Sequence, residues 1–448
     1  YLLDFIYSHN PNLIKKINFP KFENSGNRTV LGNHSLKQLN IINTDNKNKF
    51  HSVEKLLNVC ITPMGKRKIS HIISHPTYDS NKLNMEYNIC EHLIKKDKIQ
   101  EIRTKLTSIK DLEKIHRKFF LCKITPNELY YLYNNLTTIS DIYKLTNKDK
   151  KIKKFVDELI KENIIDLSDE IKDGLNKYLN IDSCKSLFTL NFEENIIKTG
   201  VFQEHDNKVQ TYIESYDKLA ALEEYFDKVL KSKEKKTKTN KFVTIKETEK
   251  NGFSLLATSR RSKILIDELQ KNNEIIEISY ISSYDNKKKN FEIKTVHLQK
   301  INFGNSSNSY IESPEIKEIC RTIKLSKTIM LDSLADHYKK IINNLLIFSN
   351  NIEIIIDYIS TIDVIYNKAH VSVLYNLSKP IIDDTYDSSF FDVKSLRHPL
   401  IENLLQDEIY VPNDICLNEK NLGILLYGIN AIGKSSLIKS IGICIIMA

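Results

Sequence analysis

Residues Leu422–Gly442 read LGILLYGINAIGKSSLIKSIG. At their centre, Gly428–Ile429–Asn430–Ala431–Ile432–Gly433–Lys434–Ser435 fits the phosphate-loop pattern G-x-x-x-x-G-K-[ST] without a mismatch. The apolar run Leu422–Tyr427 reads as a buried strand entering the loop, and Ser436–Ile441 reads as a helix leaving it. This order has a chemical purpose. Glycines let backbone N–H groups turn inward around a β-phosphate, and a helix N-terminus adds positive potential. Lys434 is expected to reach the β- and γ-phosphates and Ser435 to ligate Mg²⁺. ATP and Mg are therefore the expected cofactors. Two roles stay open for Asn430, nucleotide contact or holding the loop. Only 14 residues follow Lys434. An acidic strand and a water-positioning residue do not fit in them, so no catalytic residue is assigned and ATP hydrolysis is expected only of a longer chain.

Outward from the loop, glycine and proline mark the domains. Four of the 11 glycines, at 423, 428, 433 and 442, fall in the last stretch. No proline lies between Pro126 and Pro314. Such a span permits long helices. Apolar residues recur at three and four in Leu219–Ala220–Leu222–Tyr225–Phe226–Val229–Leu230, and again in Ile341–Leu345–Phe348–Ile352–Ile355–Ile356–Ile359–Ile362. Between them the character changes. Phe242–Ile245 and Phe253–Ala257 are short strand-like runs, and Phe291–Val296 alternates with period two. Asn302–Ser313, rich in Asn and Ser, reads as a loop.

Charge singles out the same insert. The 448 residues carry 66 Lys or Arg against 57 Asp or Glu, a net of +9. Residues 228–300 hold 18 of the bases and 9 of the acids, so the whole excess sits there. Lys231, Lys233, Lys235, Lys236, Lys238 and Lys241 form one run. Arg260, Arg261 and Lys263 form a second cluster, and Lys287–Lys289 a third. One such run is usually a solvated face. Three clusters around strand signals favour a polyanion surface, and nucleic-acid phosphates are the expected partner.

Other classes are disfavoured. Hydrophobic residues make up 41%, too many for a disordered chain, and 11 Gly with 9 Pro exclude collagen. No consecutive apolar run approaches the ~20 residues of a membrane span, so no membrane partner is expected. No secretory signal opens the chain, and it starts at Tyr1, as a piece of a longer protein would. Seven cysteines without a C-x-x-C pair suggest reduced thiols in an intracellular compartment, nucleus or cytoplasm undistinguished. His71 and His75 have metal-ligand spacing, but no third ligand is evident.

In this order the motifs resemble the MutS DNA mismatch repair family. Leu56–Leu57–Asn58 through Thr62–Pro63–Met64–Gly65–Lys66–Arg67 is similar to the family's T-x-M-G-x-R string, with Pro76 and Glu86–Tyr87–Asn88 in the following places. Asp111–Leu112–Glu113 with Thr125–Pro126–Asn127 resembles its D-L-E-R stretch. Asn251–Gly252–Phe253 with Ser259–Arg260 resembles the clamp strand and its following basic residue. Arg397–His398–Pro399 and Tyr410–Val411–Pro412–Asn413–Asp414 resemble the ATPase entry. The loop matches G-P-N-M-G-G-K-S-T, except that Ile429 replaces Pro, Ile432 replaces the first Gly of the pair, and Ser436 replaces Thr.

The resemblance implies a mainly α fold with an α/β part: a long-helix core and lever, a small β-containing clamp inserted in it, and the start of an ABC-type P-loop ATPase domain. The expected divisions are 1–230 for the first part of the core and lever, 231–322 for the clamp, 323–375 for the returning lever helices, and 376–448 for the incomplete ATPase domain. The family's mismatch-reading N-terminal domain and connector have no counterpart. Ser436 joins the nucleotide site by this match. Tyr410 reads as a core residue on its own, whereas the resemblance places it where an aromatic stacks on adenine. His398 reads as a brace for the domain entry. The implied partners are mismatched double-stranded DNA and a second subunit of the same type. Three functions compete: an ATP-switched clamp surveying DNA for mismatches, a relative acting on recombination junctions or strand exchange, and an unrelated P-loop protein with a basic nucleic-acid-binding arm.

Overall fold

Helices dominate because the sequence repeats apolar residues at three and four over long proline-free spans. The computed structural model describes residues 1–14, 17, 28–29, 31–42, 51–96, 99–234, 241–248, 252–272, 274–302, 307–386, 388–404, 409–430 and 432–448. Eleven described helices come first: α1 Leu2–His9, α2 Pro11–Ile14, α3 Asn33–Gln38, α4 Val53–Leu57, α5 Pro63–Ser74, α6 Ser80–Lys96, α7 Ile99–Leu106, α8 Leu112–Phe120, α9 Pro126–Asn147, α10 Lys150–Leu159 and α11 Ile164–Tyr178. The long α12 Gln203–Glu234 leads into β1 Val243–Thr248, β2 Gly252–Thr258, α13 Ser259–Asn272, β3 Ile275–Ile281, β4 Lys288–Lys294, β5 Gln299–Asn302 and β6 Asn308–Glu312. The chain returns through α14 Pro314–Leu345 and α15 Ser349–Leu374, then continues as β7 Phe391–Leu396, α16 Pro399–Leu404, β8 Asn413–Leu417 and α17 Lys434–Met447. It divides into two units, one of residues 1–111, 141–161 and 356–448, the other of 112–140 and 162–355.

The second unit carries the basic insert. Helices α12 and α14 pack side by side. Leu219, Leu222, Phe226 and Leu230 of α12 and Ile316 and Ile323 of α14 share one buried cluster with Val243, Leu255, Leu265, Ile276, Ile293 and Ile311 of the insert. Each such side chain contributes about 1.5–3 kcal/mol on burial. The strands form an antiparallel sheet in the order β1-β2-β6-β5, beside a separate β3-β4 hairpin. Asp227 starts β1 by accepting a hydrogen bond from the Phe242 N–H at 2.5 Å. Ser313 caps α14, its Oγ accepting from the Ile316 N–H at 3.2 Å, with Pro314 in the first turn. The helix therefore starts ahead of the expected 322/323 division.

The stretch expected to be a loop, Asn302–Ser313, instead contributes β6. Asn308–Glu312 pairs with both β2 and β5 and buries Ser309 and Ile311. Within β6, Ser309 shares a buried hydrogen bond with Ser262 at 2.8 Å, whereas 303–306 lie outside the described residues. Two flanking strands supply partners that composition alone does not reveal.

In the first unit, α5 is placed by a buried carboxylate. Thr62 caps α5, its Oγ1 accepting from the Gly65 N–H at 3.0 Å. Asp363 of α15 accepts from the Ile61 N–H at 3.1 Å, the Thr62 N–H at 2.7 Å and the Thr62 hydroxyl at 2.7 Å. A Cβ on Gly65 would lie 2.2 Å from Asp363 Oδ2, so only glycine fits there. Arg67 extends the same string by forking onto Asp111 at 2.6 and 3.1 Å. The T-P-M-G-K-R and D-L-E strings are thus two halves of one contact. The segment Pro314–Leu374 is long and apolar enough to span a membrane by composition, which no consecutive apolar run in the sequence is. Its α15 part nevertheless buries the polar Ser360, Asp363 and Asn367.

Near the end of the chain, β7 and β8 form an antiparallel pair with a bulge between Val393 and Leu396. The expected buried strand Leu422–Tyr427 is not formed. These residues pair with no described strand, and Leu422, Leu425 and Tyr427 are 90%, 87% and 85% exposed. A strand apolar on both faces needs hydrogen-bonded neighbours and covering layers, and the described residues provide neither.

Candidate functional site

The phosphate-loop sequence folds as a turn onto a helix. Gly433 caps α17 with φ +95°, a left-handed conformation that a side chain would strain. Lys434 begins the helix, and its ammonium donates to the carbonyls of Gly428 and Ile429, each at 2.5 Å. The lysine therefore already spans the loop that it is expected to serve. A phosphate oxygen is a stronger acceptor than a carbonyl, so an incoming phosphate can take over those bonds. Ser435 is exposed at the helix head and Ser436 is half-buried. The Lys434 ammonium and the exposed Ser435 hydroxyl stand together at the head of α17. Asn430, Ile429 and Ile432 are exposed, whereas Tyr410 is half-buried. Ala431 lies outside the described residues.

Below the loop, α17 is joined to helices of its own unit. Ile443 lies in a buried cluster with Leu36, Leu56, Ile69, Val364 and Leu400. The Tyr87 hydroxyl donates to the Ala448 carbonyl. Its neighbours in sequence are used as well, for Glu86 pairs with Lys368 at 2.5 Å and Asn88 accepts from Lys379 at 2.7 Å. His398 is buried, and its Nδ1 accepts from the Ile401 N–H at 3.3 Å to cap α16. Burial, then the Lys439 ammonium, hold this imidazole below the usual histidine range. It acts as a neutral cap, as a brace would. Arg397 reaches Glu402 at 2.8 Å and the Asn376 carbonyl at 2.8 Å. A cavity of about 220 Å³ opens between α16 and α17, with Asn40, His398, Ser435, Ser436 and Lys439 in its wall. Tyr410 does not line it.

The basic insert is less free than its net charge suggests. Lys231 pairs with Asp227 at 2.6 Å, Lys233 with Glu268 at 2.7 Å, and Lys241 with Glu223 at 2.6 Å. Burial pushes the Asp227 carboxyl up, but Lys231 and the Phe242 N–H outweigh it and hold it below the usual carboxylate range. Its hydrogen bond to Glu223 holds Lys241 above its ordinary value. The lysine ends reach solvent, but Asp227 and Glu223 are buried, so a polyanion that takes Lys231 or Lys241 must leave a buried carboxylate behind. Arg261 stacks its guanidinium 3.7 Å from the centre of the Phe242 ring. Arg260 and Lys263, on the first turn of α13, are exposed. Lys235, Lys236 and Lys238 lie outside the described residues, as does Asn251.

The sequence reading missed Lys246 on β1 and Lys294 on β4, both exposed. The outward period-two face Lys288–Asn290–Glu292–Lys294 was the signal that could have found Lys294. His71 and His75 stack at 4.7 Å, and His71 Nδ1 faces the Arg28 guanidinium at 3.0 Å. Among the described residues no group of three metal-ligating side chains occurs.

Comparison with known families settles what this arrangement belongs to. A family model described as MutS domain III matches residues 34–369. The chain belongs to the MutS family. The matched span begins in α3 and ends in α15, so it includes the basic insert and stops short of the phosphate loop. Relatives extend the likeness. A DNA mismatch repair protein mutS homolog of Acanthamoeba polyphaga mimivirus is 27% identical over 100% of this chain and 42% of its own length. The DNA mismatch repair protein MutS of Petrotoga mobilis is 26% identical over 97% of this chain and 47% of its own. A mitochondrial DNA mismatch repair protein mutS homolog of Sarcophyton glaucum is 24% identical over 100% of this chain and 42% of its own. The chain spans less than half the length of each of these relatives.

Proposed function

We propose that this chain is the core, clamp and nucleotide-loop part of a DNA mismatch repair protein that grips duplex DNA and is switched by ATP. The insert at 231–322 is the clamp, the helices at 1–230 and 323–375 are core and lever, and 376–448 open an ABC-type ATPase domain. Duplex DNA meets Arg260, Arg261, Lys263 and the lysines of 231–241 through its phosphates. Such contacts carry little sequence preference. Mg-ATP binds at Gly428–Ser436, with Lys434 on the β- and γ-phosphates, Ser435 on Mg²⁺, Asn430 on the loop and Tyr410 against the base. Bound ATP supplies the switching free energy. In an ABC-type arrangement a second subunit closes over each nucleotide, so the working form is a dimer. By linkage, DNA must change nucleotide affinity by the same factor as nucleotide changes DNA affinity. All seven cysteines are unpaired, which supports a reducing compartment.

The observation that carries the reading is the Gly433–Lys434–Ser435 turn at the head of α17, in a chain of this family. Lys434→Ala removes the ammonium and leaves the helix, because the loop is exposed. Fluorescent ATP titrated in the presence of Mg²⁺ is expected to bind the variant about 100-fold more weakly or worse, the loss typical of a charge-stabilising donor. Equal affinity of variant and wild type would remove Lys434 from the nucleotide site.

A further inference from the structure

The helix that heads the loop is held from one side. Upstream of Gly428, Leu422–Tyr427 is exposed and unpaired, so nothing described there fixes the loop. The support comes from the buried cluster around Ile443 and from the turn after α3. At Gly442, a Cβ would lie 3.1 and 3.2 Å from the two terminal methyls of Leu39. That approach brings the α17 backbone against a side chain of the helical core. Gly442 stands about 12 Å along the helix from Lys434, at 1.5 Å per residue.

The supporting turn is itself rigidly tied. Asn40 sits at φ +53°, a left-handed conformation that asparagine tolerates. Its carbonyl accepts from the Val53 N–H at 2.9 Å, and the next carbonyl, of Ile41, accepts from the Glu54 N–H at 3.0 Å. Ile41 is completely buried. The turn is thus pinned to α4. Asn40 also stands in the cavity wall with Ser435 and Ser436. The turn therefore meets α17 at its waist, through Leu39 against Gly442, and faces its head across the cavity through Asn40.

We propose that Leu39 and Gly442 are positioning residues for the nucleotide loop: their close approach seats α17 on the turn at 39–42 and sets where Lys434 and Ser435 stand. The proposal rests on the reading of Gly428–Ser436 as the nucleotide site. It also makes the turn at 39–42 a direct mechanical link between that site and the helical core of the same unit. A Cβ at Gly442 requires a shift of a few tenths of an ångström at the Leu39 contact, and the larger β-branched side chain of Gly442→Val is expected to tilt the helix and pass that tilt to its first turn.

The test compares wild type, Gly442→Val, Leu39→Ala, the double variant and Lys434→Ala. Two measurements are made: affinity for fluorescent ATP with Mg²⁺, and amide hydrogen exchange at Lys434–Ile438 without nucleotide. Gly442→Val should weaken nucleotide about tenfold and speed exchange in that first turn. Adding Leu39→Ala should restore both, because the methyls that clash are gone. General destabilisation cannot produce this rescue, since Leu39→Ala alone removes packing. If Gly442→Val fails to fold, Gly442→Ala places one methyl at the same contact and is read the same way. A double variant no better than Gly442→Val, or unchanged exchange at Lys434–Ile438, overturns the seat. Wild type that binds no fluorescent ATP would sink the nucleotide reading separately, while the exchange arm still decides the seat.

Discussion

The basic insert and the stretch before the phosphate loop contain similar apolar, strand-forming sequence and meet opposite fates. In the insert, Phe253–Ala257 finds β1 on one side and β6 on the other, and its inward residues share a core with α12 and α14. Before the loop, Leu422–Tyr427 finds no described strand, and its leucines face solvent. The difference lies in partners. A strand is stabilised by cross-strand pairs and a covered face, which its own sequence cannot supply. In the insert those partners come within about 60 residues, from β1 to β6. Leu422–Tyr427, in contrast, has no partner strand among the described residues.

Stability measurements break or sharpen this contrast. The largest effect is expected in the core that the insert shares with α12 and α14. Phe226 is 1% exposed at the centre of its core, and Phe226→Ala should cost about 3–5 kcal/mol in denaturant unfolding. An intermediate effect is expected at Asp149, a buried carboxylate outside both regions. It accepts from His92 Nε2 and from Lys96, each at 2.9 Å, and from the Lys151 N–H at 3.0 Å. Burial pushes its carboxyl up, but the His92 and Lys96 bonds outweigh burial and hold it well below the usual carboxylate range. Because the folded value is depressed, its stabilisation is present above the unfolded carboxyl value of about 3.9 and is lost as pH falls below it. Asp149→Asn should cost about 1–3 kcal/mol at neutral pH and flatten the acid limb of the stability curve. An acid limb identical to wild type would remove Asp149 from the account. The smallest effect is expected at Leu425→Ala, within about 0.5 kcal/mol. A loss at Leu425 as large as that at Phe226 would show the strand to be covered in solution.

Much of this architecture could be read from the residues. Leu219–Leu230 spells its helix because one stripe of α12 meets one core. The runs at 242–245 and 253–257 spell their strands because each is a short, largely apolar run flanked by polar residues. The turn at Gly433 was legible because its left-handed backbone at the head of α17 demands glycine. What failed to show depended on distant partners. Asn308–Glu312 looks like a loop until β2 and β5 flank it. Lys231, Lys233 and Lys241 look like free cations until Asp227, Glu268 and Glu223 face them. Arg67 and Asp111 read as two separate motifs until they meet. In each case the deciding interaction joins residues that local patterning treats independently.

The central claim is that the insert grips nucleic acid through Arg260, Arg261 and Lys263 of α13. The measurement is the salt dependence of duplex DNA binding for wild type and for the triple variant Arg260→Glu, Arg261→Glu, Lys263→Glu. Each phosphate contact contributes about 0.9 to the slope of log affinity against log salt. Wild-type binding should therefore fall steeply with salt, and the triple variant should bind more weakly with a shallower slope, by about two to three such contacts. Identical affinity and slope for the two proteins at every salt concentration would contradict the account.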